Sequence, residues 1–358
     1  MNTTPVIVGI GGQCALGLNW PAMSAAVRAG ISASAVLEYL PSCQDGHALT
    51  VNRLTTLPAR ASLFDRMKSM AIAAAREALV PWLAGLERRG RTDLELPILL
   101  SIPPERPAFG KGSGKRLAQQ VVEAMPVAFD RARCSVTSSG HEAGLAALTY
   151  AAEQIAERKA IAFLVGGVDS YLDIELLHSI ERQGRLKSDG QPHGFIPGEG
   201  AGFVLVCSRE LADWLAVAVI AEIVSGGRGH EPRCWWGSEP TLGQGLTSAF
   251  RATLQASKLP APRVQASYSD VNGETWRAEE WGYAYVRTGK HHASPLDHRH
   301  PASFWGDVGA ASGPLLVGLA AQDLRRDFEP GALALVWTAS DSQPYRSACL
   351  IRQGGAPG

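Results

Sequence analysis

The stretch GRLKSDGQPHGFIPGEGAGFVLV, Gly184 to Val206, sets a glycine-rich turn directly ahead of an apolar strand. Gly198, Gly200 and Gly202 alternate with Glu199 and Ala201. Backbone without Cβ atoms admits close approach of a neighbour and φ > 0. A single carboxylate in so small and apolar a run needs partners once buried, so Glu199 reads as a buried acceptor that ties loops together.

Outward from this turn, short apolar runs bounded by glycine alternate with longer helical segments, the pattern of buried strands in an α/β protein. Strands are expected at Pro5–Gly12, Leu96–Pro103, Arg133–Ser139 and Ala160–Ser170, then at Leu215–Gly227, Arg263–Gly273 and Gly331–Ser342. Helices are expected over Trp20–Ala29, from Ser62 through Leu86, and over Gly114–Met125, Glu142–Arg158 and Gly243–Ser257. The stretch Phe304–Arg326 reads as a turn followed by a helix. Two units look alike: a small-residue turn near His141 or near Gly309 opens a helix, which leads to a strand ending in VGGVDS or WTASDS. This suggests an internal duplication with halves at 1–207 and 208–358, joined near Ser208 to Trp214 and sharing one core. Ser101–Lys115 and Arg287–Pro301 are rich in proline, glycine and charge and read as surface loops.

With 358 residues, 46% of them hydrophobic, the chain has ample material for a large buried core. A formal net charge of +0 gives no reason to expect nucleic acid as a partner. Six scattered cysteines without a CxxC pair read as reduced core residues of a cytoplasmic protein, not as a zinc site. The N-terminus has no basic segment and reads as a first strand, not a signal peptide; no apolar run approaches the ~20 residues that span a bilayer.

Gly194-Phe195 ahead of Gly198-Glu199-Gly200-Ala201-Gly202 resembles a segment of the β-ketoacyl synthases. Val6–Gly30, Ala152–Tyr171 and Gly306–Gly313 resemble the same family, and the likeness covers most of a chain that is shorter than its typical elongating members. The resemblance implies the α/β thiolase fold, two similar βαβαβ halves in a five-layered α-β-α-β-α sandwich. It also implies a dimer paired through the strand RCSVTSS beside the nucleophile turn.

The family uses a Cys nucleophile at a helix N-terminus, where the dipole favours the thiolate. Here that position in TSSGHEAGLAAL, Thr137 to Leu148, falls on His141. His141 reads as a general base or transient acyl acceptor, or as a neutral filler of the turn with Glu142 as partner. Ser139 and Ser138 are fallback nucleophiles, or caps of the helix. Asn272 stands where the family's first catalytic His lies, able to donate a hydrogen bond but not to shuttle a proton; Asn272-Gly273 is also a strong turn signal. Gly306, or Asp307 with a one-residue deletion, stands at the second catalytic His, and Ala302 at the family's Lys. WTASDSQPYRSA replaces the family's gating loop.

Three further stretches carry weaker signals. GKGSGKR has the wrong spacing for a phosphate-binding loop. His291, His292, His298 and His300 around Asp297 fit no zinc pattern and read as a solvated loop. Trp235 and Trp236 mark either a partner surface or partial burial.

Claisen condensation needs a thiolate and donors for the developing oxyanion. The resemblance without these groups implies a non-elongating protein that uses no metal or cofactor and acts as a dimeric scaffold, accessory or adaptor. Its partner would be an active synthase, an acyl carrier protein or a secreted effector, since similar short proteins occur beside type VI secretion effectors. The rival expectation is an acyltransferase or thioesterase working through His141 or Ser139. It requires an open acyl tunnel to His141 with Asn272 and Asp307 converging on it.

Overall fold

The computed structural model describes residues 2–43, 46–329 and 331–354. In chain order the first half runs β1 (Pro5–Cys14), α1 (Trp20–Arg28), β2 (Ser34–Pro41), β3 (Ala48–Asn52), α2 (Leu63–Arg88), β4 (Ile98–Ser101), α3 (Ser113–Glu123), β5 (Ser135–Thr137), α4 (Ala143–Ala156), β6 (Ala162–Ser170), α5 (Ile174–Arg182) and β7 (Glu199–Ser208). The second half follows with α6 (Arg209–Leu215), β8 (Ala221–His230), α7 (Gln244–Ala256), β9 (Val264–Ser269), α8 (Thr275–Thr288), β10 (His292–Arg299), α9 (Ala302–Trp305), α10 (Ser312–Asp327), β11 (Leu333–Ala339) and β12 (Tyr345–Gln353).

Ten of the strands form one continuous sheet in two pseudo-equivalent parts, β5-β4-β6-β7-β1 and β10-β9-β11-β12-β8. In each part the first three strands run parallel and the last two antiparallel. The parts meet only where Val6 and Ile7 of β1 pair with Glu222 and Ala221 of β8. Helices α4 and α10 form the central layer, packed on both halves of the sheet. Helices α2 and α3 cover the outer face of the first half, α7 and α8 that of the second. This is the five-layered thiolase architecture.

Close packing follows from small residues. A Cβ on Gly9 or Gly11 would lie 2.1 Å from the Ala78 carbonyl oxygen or 2.0 Å from that of Ala74, so β1 and the alanine face of α2 touch backbone to backbone. The central helices approach in the same way: a Cβ on Gly144 of α4 would sit 2.5 Å from Pro314 of α10. Ser62 caps α2 by accepting from the Asp65 amide at 3.1 Å, as its position ahead of the apolar period requires.

The sequence expectations fail in two places. Leu215–Gly227 is not one strand. Ser208 caps α6 through the Leu211 amide, so Leu215 closes a helix and β8 starts at Ala221. Arg287–Pro301 is not a loop; most of it is β10, an edge strand paired with β9 alone. An edge strand tolerates proline and charge because one side faces no ladder, and that tolerance hid it. The β2–β3 hairpin, α5 and α8 also carried no expectation.

Glu199 behaves as read. Fully buried at the start of β7, it accepts from the Leu54 amide (2.8 Å), the Ser170 hydroxyl (2.9 Å) and both Arg66 Nε (2.7 Å) and Nη2 (2.5 Å). Removing one partner of a buried pair strands the other charge, at a cost of about 3–5 kcal/mol. Glu199→Gln is therefore expected to lower the unfolding free energy by that order in urea titrations. The double variant Arg66→Met/Glu199→Met is expected to lose less.

Candidate functional site

The site lies where the turns ahead of α4 and α10 face each other. Each turn is a short 3-10 segment, Gly140–Glu142 and Gly309–Ala311, opened by a glycine with positive φ (67° and 50°). Each is held by the acidic residue that ends the central strand of one half. Asp169, at the end of β6, accepts from the Ala310 amide at 3.0 Å and pairs with Arg106. Asp341, after β11, lies 3.6 Å from His141 Nδ1. The paired DS sequences noted in the chain thus sit in corresponding places, each against a turn.

Asp307 is positioned by the glycine-rich turn. Its amide donates to the Ile196 carbonyl and its carbonyl accepts from the Gly198 amide, both at 2.8 Å. A Cβ on Gly198 would lie 2.7 Å from the Trp305 carbonyl oxygen, so only glycine admits this contact. The Asp307 carboxylate then gathers three donors. Oδ1 meets His141 Nε2 at 2.8 Å and the Gly309 amide at 2.8 Å; Oδ2 accepts from Asn272 Nδ2 at 2.6 Å. Of the two positions aligned with the second catalytic histidine, Asp307 enters the site, whereas Gly306 turns the chain at φ 79° against Asn52.

Around this core lies a set of buried charges. Arg277, fully buried, donates to Asp270 and to the Ala339 carbonyl, both at 2.7 Å. Arg185 bridges Glu274 (2.7 Å) and Asp341 (3.0 Å), and Glu274 also accepts from Asn272 at 3.1 Å. Arg185, the Asp270–Arg277 segment and Asp341 come from three distant parts of the chain, and only their convergence reveals the network.

The electrostatics reverse one expectation. Burial pulls the His141 imidazole down, but attraction to Asp307, helped by Asp341 and opposed by Arg277, raises its pKa from 6.5 to about 10. The same pairing holds Asp307 well below the ordinary carboxylate range although burial opposes it, and Asp341 likewise. The pairing shifts His141 toward the imidazolium, against the neutral ring that a helix N-terminus favours. Two close carboxylates outweigh one helix dipole. Glu142 is not its partner: it turns to Arg228 (2.7 Å) and the Ser347 hydroxyl (2.9 Å).

Ser139 is brought to the turn, but its carbonyl accepts from Ser340 Oγ at 2.9 Å, and among the described residues no hydrogen bond joins its hydroxyl to His141. Cys134 lies at the foot of β5, its thiol donating to the Asp130 carbonyl and pushed up in pKa by burial. Burial pushes Cys14, Cys207 and Cys349 up to about 12, far from the thiolate range. A cavity touching Asp307 measures about 10 Å³, room for one water at most. An open cleft of about 380 Å³, walled by Trp235 and Trp276, stops at Arg185 and Glu274.

Two of the four histidines read as solvated are packed instead, while His291 is half-buried and His300 exposed. His292 is buried against Thr288 (2.9 Å), and His298 stacks on Trp281 at 4.3 Å and meets Ser269 (3.0 Å). Burial lowers both to about 4. No group of three metal-binding side chains occurs among the described residues. Trp235 donates to the Asp341 carbonyl at 2.9 Å while Trp236 is 47% exposed, so the pair is half anchor and half surface. Among the described residues no helix is long and apolar enough to cross a membrane.

Residues 133–212, which span the turn, α4, β6 and the glycine-rich segment, match the family model of the β-ketoacyl synthase N-terminal domain. No curated protein matches the chain in sequence. Among solved structures, the oxazolomycin ketosynthase domain OzmH KS7 of Streptomyces albus JA3453 superposes with a TM-score of 0.82 at 15% identity, covering 99% of this chain and 76% of its own. The ketosynthase of module 6 of the bacillaene synthase from Bacillus subtilis 168 gives 0.78 at 15%, covering 98% and 72%. The type II polyketide complex AntDE:AntF, an acyl carrier protein with its ketosynthase, gives 0.76 at 16%, covering 99% and 100%. The chain has the thiolase fold of these structures, and its residues 133–212 resemble the N-terminal domain of the β-ketoacyl synthases.

The pKa shifts fix a pH window. His141 is raised in the fold, so its contribution to stability is complete below 6.5 and is lost as pH climbs toward 10. Asp307 is lowered, so its contribution is complete above 3.8 and is lost as pH falls below it. The stability gap between the protein and a His141→Gln variant, measured by urea unfolding across pH, is expected to be widest between about pH 4 and 6.5 and to shrink from there toward pH 10.

Proposed function

We propose that this is a non-elongating β-ketoacyl-synthase-like protein that works as a dimeric scaffold for a protein partner. One observation carries the reading: Asp307 occupies the donors that a thioester would need. His141 Nε2, the Gly309 amide and Asn272 Nδ2 all converge on its carboxylate. A neutral thioester oxygen is a weaker acceptor than a carboxylate, since charge-assisted hydrogen bonds are roughly twice as strong as neutral ones. An imidazolium held by two carboxylates has no lone pair with which to act as base or nucleophile. The lack of a thiol at the turn and a cavity of about 10 Å³ support the same conclusion.

The partner side rests on the sheet edge and the relatives. β5 is a three-residue edge strand with Ser135 and Thr137 exposed, a free ladder on which a second copy can continue the sheet. AntDE:AntF contains an acyl carrier protein bound to its ketosynthase, and the ishigamide structure is a ketosynthase/chain length factor. An active synthase or an acyl carrier protein is therefore the first partner to test, with a secreted effector next.

Two measurements test the proposal. Incubation with acyl-CoA and acyl-carrier thioesters, followed by intact-protein mass spectrometry and a thiol-release assay, is expected to show neither adduct nor thiol. An adduct lost in His141→Ala or Ser139→Ala would instead establish acyl transfer. Light scattering is expected to give a particle of two 38.0 kDa chains; a monomer at micromolar concentration overturns the dimeric scaffold.

A further inference from the structure

The two halves of the sheet part immediately after Val6 and Ile7, and a crevice of about 690 Å³ opens between them. Its size falls within the range of small-molecule sites, about 300–1,000 Å³. Ile10 of β1, Ile220 ahead of β8, Trp20 of α1 and Pro81 of α2 give it apolar walls, and Val80, 59% exposed, extends the wall to the surface. Three guanidinium groups border the same space: Arg28 at the end of α1, and Arg325 and Arg326 in the last turn of α10. None of the three makes an ion pair or side-chain hydrogen bond among the described residues. Favourable placement at a helix C-terminus accounts for a basic residue on each helix. It does not account for three unpaired cations from two helices bordering one apolar crevice. The acid of the wall, Glu77, is spent inward, accepting from the Gly12 amide (3.0 Å) and the Trp20 amide (2.8 Å).

We propose that this crevice binds a small amphiphilic anion, an apolar chain ending in a single carboxylate or phosphate. The chain lies along the Ile10, Trp20 and Pro81 walls, and the head group meets the arginines at the rim. The site is separate from the one described above. The turn at Gly309–Ala311 precedes α10 and the arginines close it, so the helix sets the two apart by about 24 Å, from 16 residues at about 1.5 Å each. A bound chain would touch β1, α1, α2 and α10 together and so brace the seam between the halves.

The test uses the full chain and monomeric dodecanoate and dodecyl phosphate, with dodecyltrimethylammonium as the cationic control, read by titration calorimetry. Both anions are expected to bind and the cation not to. Arg28→Ala/Arg325→Ala/Arg326→Ala, all exposed positions, is expected to weaken binding about tenfold or more, as loss of charge-assisted contacts requires. Val80→Glu is expected to weaken it likewise, and Asn272→Ala to leave it unchanged. Equal binding of the cation, equal binding by the triple variant, or loss in Asn272→Ala overturns the proposal. So does binding to vesicles of phosphatidylcholine with phosphatidylglycerol without binding to either monomeric anion, which would make the arginines a membrane contact.

Discussion

The close crossing of α4 and α10 is the constraint from which the rest of the molecule follows. Gly144 against Pro314, and Gly313, where an added Cβ would lie 3.0 Å from the Leu145 amide nitrogen, bring two helices from different halves nearly to backbone contact at their N-termini. That contact fixes the separation of the two turns. It also fixes the distance between the half-sheets, whose inner faces must both pack on this one layer. The turns in turn decide which side chains can meet: His141 from one half and Asp307 from the other lie 166 residues apart in sequence and 2.8 Å apart in space.

What fills the meeting point is charge. Arg185, Arg277 and His141 interleave with Asp270, Glu274, Asp307 and Asp341, nearly all withdrawn from water. Desolvation makes such a network a weak source of net stability, while breaking any single link is costly. Its effect is therefore on specificity of structure more than on stability. Most of its charged groups are joined by hydrogen bonds or ion pairs, and separating them would expose bare charge. At its centre the Asp307 carboxylate gathers the donors that the two turns and Asn272 bring together.

The outer surfaces follow different physics. The β5 edge offers unpaired backbone, the Trp235–Trp236 corner offers an aromatic face over an ion network, and the seam crevice offers apolar wall with a cationic rim. Each is suited to a different kind of contact, and none passes through the closed centre.

The sequence by itself determined the architecture. Glycine-bounded apolar runs placed β1, β4, β6, β9 and β11, helical periodicity placed α2, α4, α7 and α10, and the GEGAG turn announced both the fold and the buried role of Glu199. These features are local: period, cap and turn chemistry act over a few residues. The sequence also named His141, Asn272 and Asp307, because each lies at a small-residue turn that resembles a family position. It left the charge of His141 open. Whether His141 is neutral or charged depends on carboxylates from Asp307 and Asp341, 166 and 200 residues away. Edge strand β10 was lost for a related reason, since a strand paired on one side need not look like one. Only the tertiary structure decided these points, because the energy of a buried charge is set by what surrounds it in space and not by its neighbours along the chain.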